Sequence, residues 1–266
     1  MGQAPGPPPS PGVPEGLAAM GAPGRGRGRG GSGGRTRSGA PLGRGAGVKV
    51  KTAKRRKPSS TRWLERQLND PYVAEAKRLG LRSRAAFKLI QIDERFGLLG
   101  AGKRVVDLGA APGGWTAVAA ERVQAGKAKG QLIAVDIGGM DPIPGATVLR
   151  LDVLAAGAPA RIKEALDGPA DVVLSDMASP ATGHGATDHL RVMALAEAAY
   201  AFARQVLAPG GAFVAKVLRG GTEKQLLDAI KREFKAVKHF KPEASRAGSA
   251  EIYVVATGFK GRTALR

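Results

Sequence analysis

The 266-residue chain contains no cysteine. That excludes disulfides, zinc–thiolate sites and cysteine nucleophiles. No apolar run approaches the roughly 20 residues that span a bilayer. The first residues lack a charged stretch followed by an apolar core, so a signal peptide is not expected and a cytoplasmic protein is. Acidic residues are scarce: 22 Asp+Glu stand against 42 Lys+Arg, a formal net charge of +20. So strong an imbalance points to a polyanion partner, chiefly nucleic acid. A basic membrane-surface protein would carry an amphipathic anchor helix, and none is visible.

What is present falls into two compositions. Residues 1–62 hold 13 Lys+Arg and a single acid, Glu15. Residues 1–47 contain 16 Gly and 8 Pro, too little apolar surface to offset the entropy of ordering, so residues 1–58 are expected to form a disordered basic tail. Arg-Gly repeats at 24–30 and Lys54-Arg55-Arg56-Lys57 suit non-specific contact with RNA. With 43% apolar residues overall, the remainder is long enough to bury one α/β domain, expected at 59–258 and followed by a short basic tail at 259–266.

The domain is organised around Val105-Val106-Asp107-Leu108-Gly109-Ala110-Ala111-Pro112-Gly113-Gly114-Trp115-Thr116. A β-branched apolar run ending in Asp-Leu-Gly reads as a buried strand feeding a turn. Small residues keep that turn bare, and a helix follows, so backbone N–H groups face whatever binds there. The dinucleotide pattern Gly-x-Gly-x-x-Gly is missing, and a phosphate-binding loop would need Lys where Trp115 stands. The loop suits a nucleoside cofactor with a charged tail and no phosphates, such as S-adenosylmethionine.

Helices are expected at 63–68, at 72–79 after Asp70-Pro71, and at 84–96, the last capped by Ser83 and ended by Gly97. Phe87, Ile90 and Phe96 would form the apolar side of that third helix, with Arg84, Lys88, Gln91 and Arg95 on its polar face. Taken alone, Lys88 reads as a solvated lysine. From Arg104 onward, strands expected at 104–108, 131–136, 147–151, 171–175, 211–217, 236–240 and 251–256 alternate with helices at 114–124, 158–166, 189–207 and 222–234. This is a Rossmann-like α/β fold with a seven-stranded, mostly parallel sheet and helices on both faces. The last two strands are separated by about ten residues, too few for a parallel crossover, so the final strand should run antiparallel.

Ligands bind outside the carboxyl ends of such strands. Asp136, Asp152, Asp176 and Lys216 fall on that rim, and the reversed last strand brings Glu251 to it. An acid at the position of Asp136 suits a ribose hydroxyl. Lys216 stands within an apolar run, where an unpaired charge is costly, and Asp176 and Glu251 are its expected partners. His184, Asp188 and His189 have no metal-site spacing, and no metal is expected.

Asp107 to Trp115, together with Ser175-Asp176-Met177-Ala178, resembles the FtsJ/RrmJ (RlmE) family, which methylates a ribose 2′-hydroxyl in large-subunit ribosomal RNA. The resemblance covers about residues 60–258. It implies a catalytic set of Lys88, within Arg82-Ser83-Arg84-Ala85-Ala86-Phe87-Lys88-Leu89, with Asp176, Lys216 and Glu251. It also implies S-adenosylmethionine contacts at Gly113, Trp115, Asp136, Asp152 and Asp176. The implied partner is 23S rRNA of the large subunit, at a uridine of the A-loop, and a monomer without metal is expected. Lys216 would accept the hydroxyl proton, Asp176 and Glu251 would hold it, and Lys88 would orient the ribose. RNA cytosine-5 methylation shares a similar glycine loop but needs a cysteine. A tRNA or another RNA remains open as substrate, as does a non-catalytic RNA-binding assembly factor, against which the charged tetrad argues. Met177-Ala178-Ser179-Pro180 departs from the commoner Met-Ala-Pro-Asn.

Overall fold

The computed structural model describes residues 58–127, 130–219 and 223–261, with Lys49 and Thr52. The tail expected at 1–58 otherwise lies outside the described residues, as does most of 259–266.

The chain divides into two compact units at Gly80/Leu81. In the first, α1 (Pro58–Leu68) and α2 (Pro71–Arg78) are joined by Asn69-Asp70. Asp70 caps α2 by accepting from the Tyr72 amide at 3.1 Å, and Pro71 takes the first helical position, where its missing N–H costs nothing. Helix α1 begins five residues before the expected 63, through a Pro-Ser-Ser-Thr stretch without apolar periodicity.

The second unit opens with α3 (Ala86–Phe96) and continues as β1 (Arg104–Leu108), α4 (Gly114–Val123), β2 (Gln131–Asp136), β3 (Ala146–Arg150), α5 (Ala158–Ala165), β4 (Ala170–Ser175), α6 (Gly185–Val206), β5 (Leu207–Leu218), α7 (Glu223–Glu233), β6 (Phe234–Phe240) and β7 (Glu251–Phe259). The strands form one sheet in the order β3-β2-β1-β4-β5-β7-β6. All pairings from β3 to β5 are parallel, and β7 runs antiparallel to both β5 and β6. Central strands are buried on both faces, which explains why β1 and β4 read as continuous apolar runs. The edge strand β6 instead exposes Lys235 and Lys238, charges that discourage edge pairing.

Three differences from the sequence expectation have physical causes. Strand β5 starts at Leu207 rather than 211, because Leu207 pairs with Ala170 before a register shift carries the ladder past Pro209-Gly210. Helix α6 starts at Gly185 rather than 189, in a stretch whose glycines suggest a loop. There the Asp188 carboxylate accepts from the Thr182 amide at 2.7 Å, the Thr182 hydroxyl at 2.8 Å and the Gly183 amide at 3.3 Å, fixing the chain into the first turn. Ser83 does not cap α3: the N-cap position is Ala85 with no side-chain bond, and the Ser83 hydroxyl lies against Gly114. The expected end of α3 holds, with Gly97 left-handed at φ 62°.

Helix α3 is fixed by Asp93, which is buried. Its carboxylate accepts from the Leu99 amide at 2.7 Å and lies 3.6 Å from Arg122 of α4.

Candidate active site

Strand order alone gathers the charged rim. β1, β4, β5 and β7 are consecutive in the sheet, so the ends of three parallel strands and the start of β7 lie side by side. Lys216 and Tyr253 are direct partners across β5 and β7, and Leu218 pairs with Glu251. Residues two apart on a strand share a face, so Glu251 and Tyr253 stand together beside Lys216.

The Lys216 ammonium lies 3.1 Å from the Asp176 carboxylate and donates to the Asp176 backbone carbonyl at 2.8 Å. Lys88 reaches in from α3, 2.7 Å from Glu251 and 4.0 Å from Asp176. Lys88 is therefore not solvated; it is 7% exposed. Of the polar face expected for α3, Lys88 is buried, Arg84 and Gln91 are half-buried, and Arg95 is exposed. Arg84 donates to the Ala244 carbonyl at 2.5 Å, and Gln91 accepts from the Ala244 amide at 2.9 Å. The 241–250 loop, more than 150 positions along the chain, supplies those partners. The expected pairing of Lys216 with Glu251 is corrected too: the Glu251 carboxylate belongs to Lys88, and it also accepts from the Ser245 hydroxyl at 2.8 Å.

Tyr253 joins the two ion pairs, and the sequence reading missed it. Its hydroxyl donates to Asp176 at 2.7 Å and accepts from Lys88 at 3.1 Å. Burial first, then the charges of Asp176 and Glu251, push its phenol well above the usual tyrosine range, so it remains a donor. The signal lay in Glu251-Ile252-Tyr253, where a period of two puts the phenol beside the carboxylate, but an aromatic in a strand reads as core.

The glycine loop borders this cluster. Gly113 caps α4 in a left-handed conformation at φ 101°. Trp115 is buried, donates its indole N–H to the Ala85 carbonyl at 2.9 Å, and lies 5.5 Å from the Tyr253 ring. Its side chain thus locks the loop to α3 and β7. Asp107 is completely covered. One carboxylate oxygen accepts from the Thr116 hydroxyl at 2.6 Å, while the other has no hydrogen-bond partner. Burial pushes its carboxyl up to about 7, opposed by the Thr116 bond and reinforced by the charges of Asp176 and Asp136.

At the far end, Asp136 accepts from the Ala111 amide at 3.0 Å and the Gly138 amide at 2.7 Å, joining the glycine loop to the turn after β2. Asp152 makes the local turn bond, accepting from the Leu154 amide at 2.9 Å. Both carboxylates keep lone pairs for further donors. Beside them, Ile137 and Leu154 are large apolar side chains left exposed, at 72% and 67%. Among the described residues, His184 and His189 included, no group of three His, Asp or Glu has metal-holding geometry.

Residues 81–259 match the family model described as FtsJ-like methyltransferase. A protein of Paramagnetospirillum magneticum named ribosomal RNA large subunit methyltransferase E is 68% identical over 214 residues, covering 80% of this chain and 88% of that one. A protein of the same name from Parvibaculum lavamentivorans is 62% identical over 221 residues, covering 80% and 87%. Among solved structures, one described as a ribosomal RNA methyltransferase from Plasmodium falciparum matches with a TM-score of 0.60 and 32% identity, covering 68% of this chain and all of that one. The charged rim and glycine loop both lie inside the matched span, and the chain belongs to the FtsJ-like methyltransferase family.

Proposed function

We propose that the protein transfers a methyl group from S-adenosylmethionine to a ribose 2′-hydroxyl of 23S rRNA in the large ribosomal subunit, at a uridine of the A-loop. The observation that carries this reading is the meeting of Lys88, Asp176, Lys216 and Glu251 beside the glycine loop, in a chain so similar to proteins named for large-subunit rRNA methylation.

The rim suits that cofactor. Asp136 and Asp176 lie close enough to Asp107 for their charges to raise its proton affinity, and a rim lined by these acids favours a sulfonium and an ammonium. Ile137 and Leu154, beside Asp136 and Asp152, offer apolar flanks for a purine, and the two carboxylates offer acceptors for ribose and base donors. When bound, the cofactor supplies an electrophilic methyl on sulfur.

The residues do the rest. In-line displacement breaks the sulfur–methyl bond, forms an oxygen–methyl bond and releases the hydroxyl proton. Lys216, in its neutral form, accepts that proton. Asp176 holds the Lys216 amine through two oxygens, and Tyr253 steadies Asp176. Lys88, positioned by Glu251, presents its ammonium to the ribose. The basic residues 1–57 add non-specific attraction to the RNA backbone.

The test is methyl transfer in vitro. Purified protein, tritiated S-adenosylmethionine and unmodified large-subunit RNA should give label on a ribose 2′-oxygen of an A-loop uridine, located by nuclease digestion and mass spectrometry. Label on a base, or on tRNA in preference to 23S rRNA, would contradict the reading.

A further inference from the structure

Arg82 lies just before α3 and has no part in the tetrad. Its guanidinium donates to the Asp141 carbonyl at 2.7 Å, the Pro142 carbonyl at 2.6 Å and, more weakly, the Pro112 carbonyl at 3.5 Å. Pro112 belongs to the glycine loop, and 141–142 belong to the loop that follows Asp136. The contact is also steric. A methyl group added to Gly113 would meet Ile143 Cδ1 at 2.6 Å and Arg82 Cδ at 3.1 Å. Ile143 is buried, so the 137–145 loop folds back onto the glycine loop, with Arg82 bound to both.

A planar fork of donors can bind two diverging carbonyls in one geometry, which a lysine cannot reproduce. Side-chain bonds of Arg82 all go to backbone carbonyls, so the charge is spent on holding chain segments. The two segments it joins flank the nucleoside end of the cleft. One carries Gly113, and the other follows Asp136, whose carboxylate already touches the Ala111 amide.

We infer that Arg82 is a positioning residue for the cofactor: it clamps the 137–145 loop to the glycine loop and fixes the gap into which the nucleoside fits. This rests on the cofactor reading above. Arg82 acts on cofactor affinity and leaves RNA capture to other basic groups.

The experiment is calorimetric titration of full-length wild type, Arg82→Ala and Arg82→Lys with S-adenosylhomocysteine, alongside steady-state kinetics varying cofactor and RNA separately. Arg82→Ala should weaken S-adenosylhomocysteine and raise the cofactor KM by about tenfold or more, while kcat and the RNA KM stay within about twofold. Arg82→Lys should recover only part of the loss. Wild type that fails to bind S-adenosylhomocysteine would overturn the cofactor reading and this inference with it. Tight binding by wild type and equally tight binding by Arg82→Ala would overturn the inference alone. An Arg82→Ala variant with normal cofactor affinity but a raised RNA KM would assign Arg82 to RNA and contradict the clamp.

Discussion

Lys216 touches Asp176 twice, at the carboxylate (3.1 Å) and at the backbone carbonyl (2.8 Å). The second contact comes from the main chain at the end of β4, so the amine is fixed by the sheet itself. Truncating Lys216 removes the amine without disturbing the glycine loop. Lys216→Ala should abolish methyl transfer while cofactor affinity stays within a few-fold, read by tritium incorporation and calorimetry. Near-normal turnover would remove Lys216 from the proton-accepting role.

Tyr253→Phe keeps the ring that packs against Trp115 and deletes the hydroxyl between Asp176 and Lys88. Two hydrogen bonds go with it, each worth about 1 kcal/mol, so kcat should fall by about tenfold or more and the melting temperature by a few degrees. Tyr253→Ala also empties a fully buried site and should cost about 3–5 kcal/mol of stability, read by urea unfolding. Identical kcat in wild type and the Phe variant would show that the hydroxyl bridge does not order the tetrad.

Asp107 gives a pH signature. Its folded-state value is raised from 3.8 to about 7, so between those values the folded protein holds a proton that the unfolded chain has released. Stability from this group is therefore present at low pH and lost as pH rises through about 7. Asp107→Asn still accepts from Thr116 but does not titrate. Urea unfolding of cofactor-free protein at pH 5 and pH 8 should show the variant gaining on wild type with rising pH, by on the order of a few kcal/mol. A constant difference between the two would mean that Asp107 is ionised throughout.

Much of this was legible in the sequence, for reasons that differ by residue. The β1 strand and glycine loop were readable because a buried parallel strand must be apolar and the turn after it must be small. Lys216 was readable because a charge in such a run needs partners. The antiparallel β7 followed from loop length alone. Lys88 taken alone read as solvated, and only the family resemblance put it in the site, because the direction a helical lysine takes is decided by what covers it, here Glu251 and the 241–250 loop. The partner of Glu251 was misassigned for the same reason: adjacency on the rim does not choose between two lysines. The start of β5 stayed hidden behind Pro209-Gly210-Gly211, which reads as a turn. Arg82 gave no signal, since its partners are backbone carbonyls and any sequence supplies those.

Residues 1–57 carry 12 Lys+Arg and one acid. If they hold RNA by counterion release, each phosphate contact adds roughly 0.7–0.9 to the log–log salt slope. A chain starting at Ser59 should show a flatter slope and slower RNA capture at moderate salt, with the same turnover at saturation and the same modified nucleotide. An unchanged slope would mean that the tail does not touch RNA.

The proposed product is one 2′-O-methyl group on 23S rRNA, made with the Lys216 amine. Mapping 2′-O-methyl groups across all RNA in cells that carry the protein, lack it, or carry Lys216→Ala reads it out. The expected result is one mark at a uridine of the 23S A-loop, present with wild type and missing in the other two. An unchanged 23S rRNA profile with a mark lost from tRNA would contradict the substrate, and a mark retained by Lys216→Ala would contradict the mechanism.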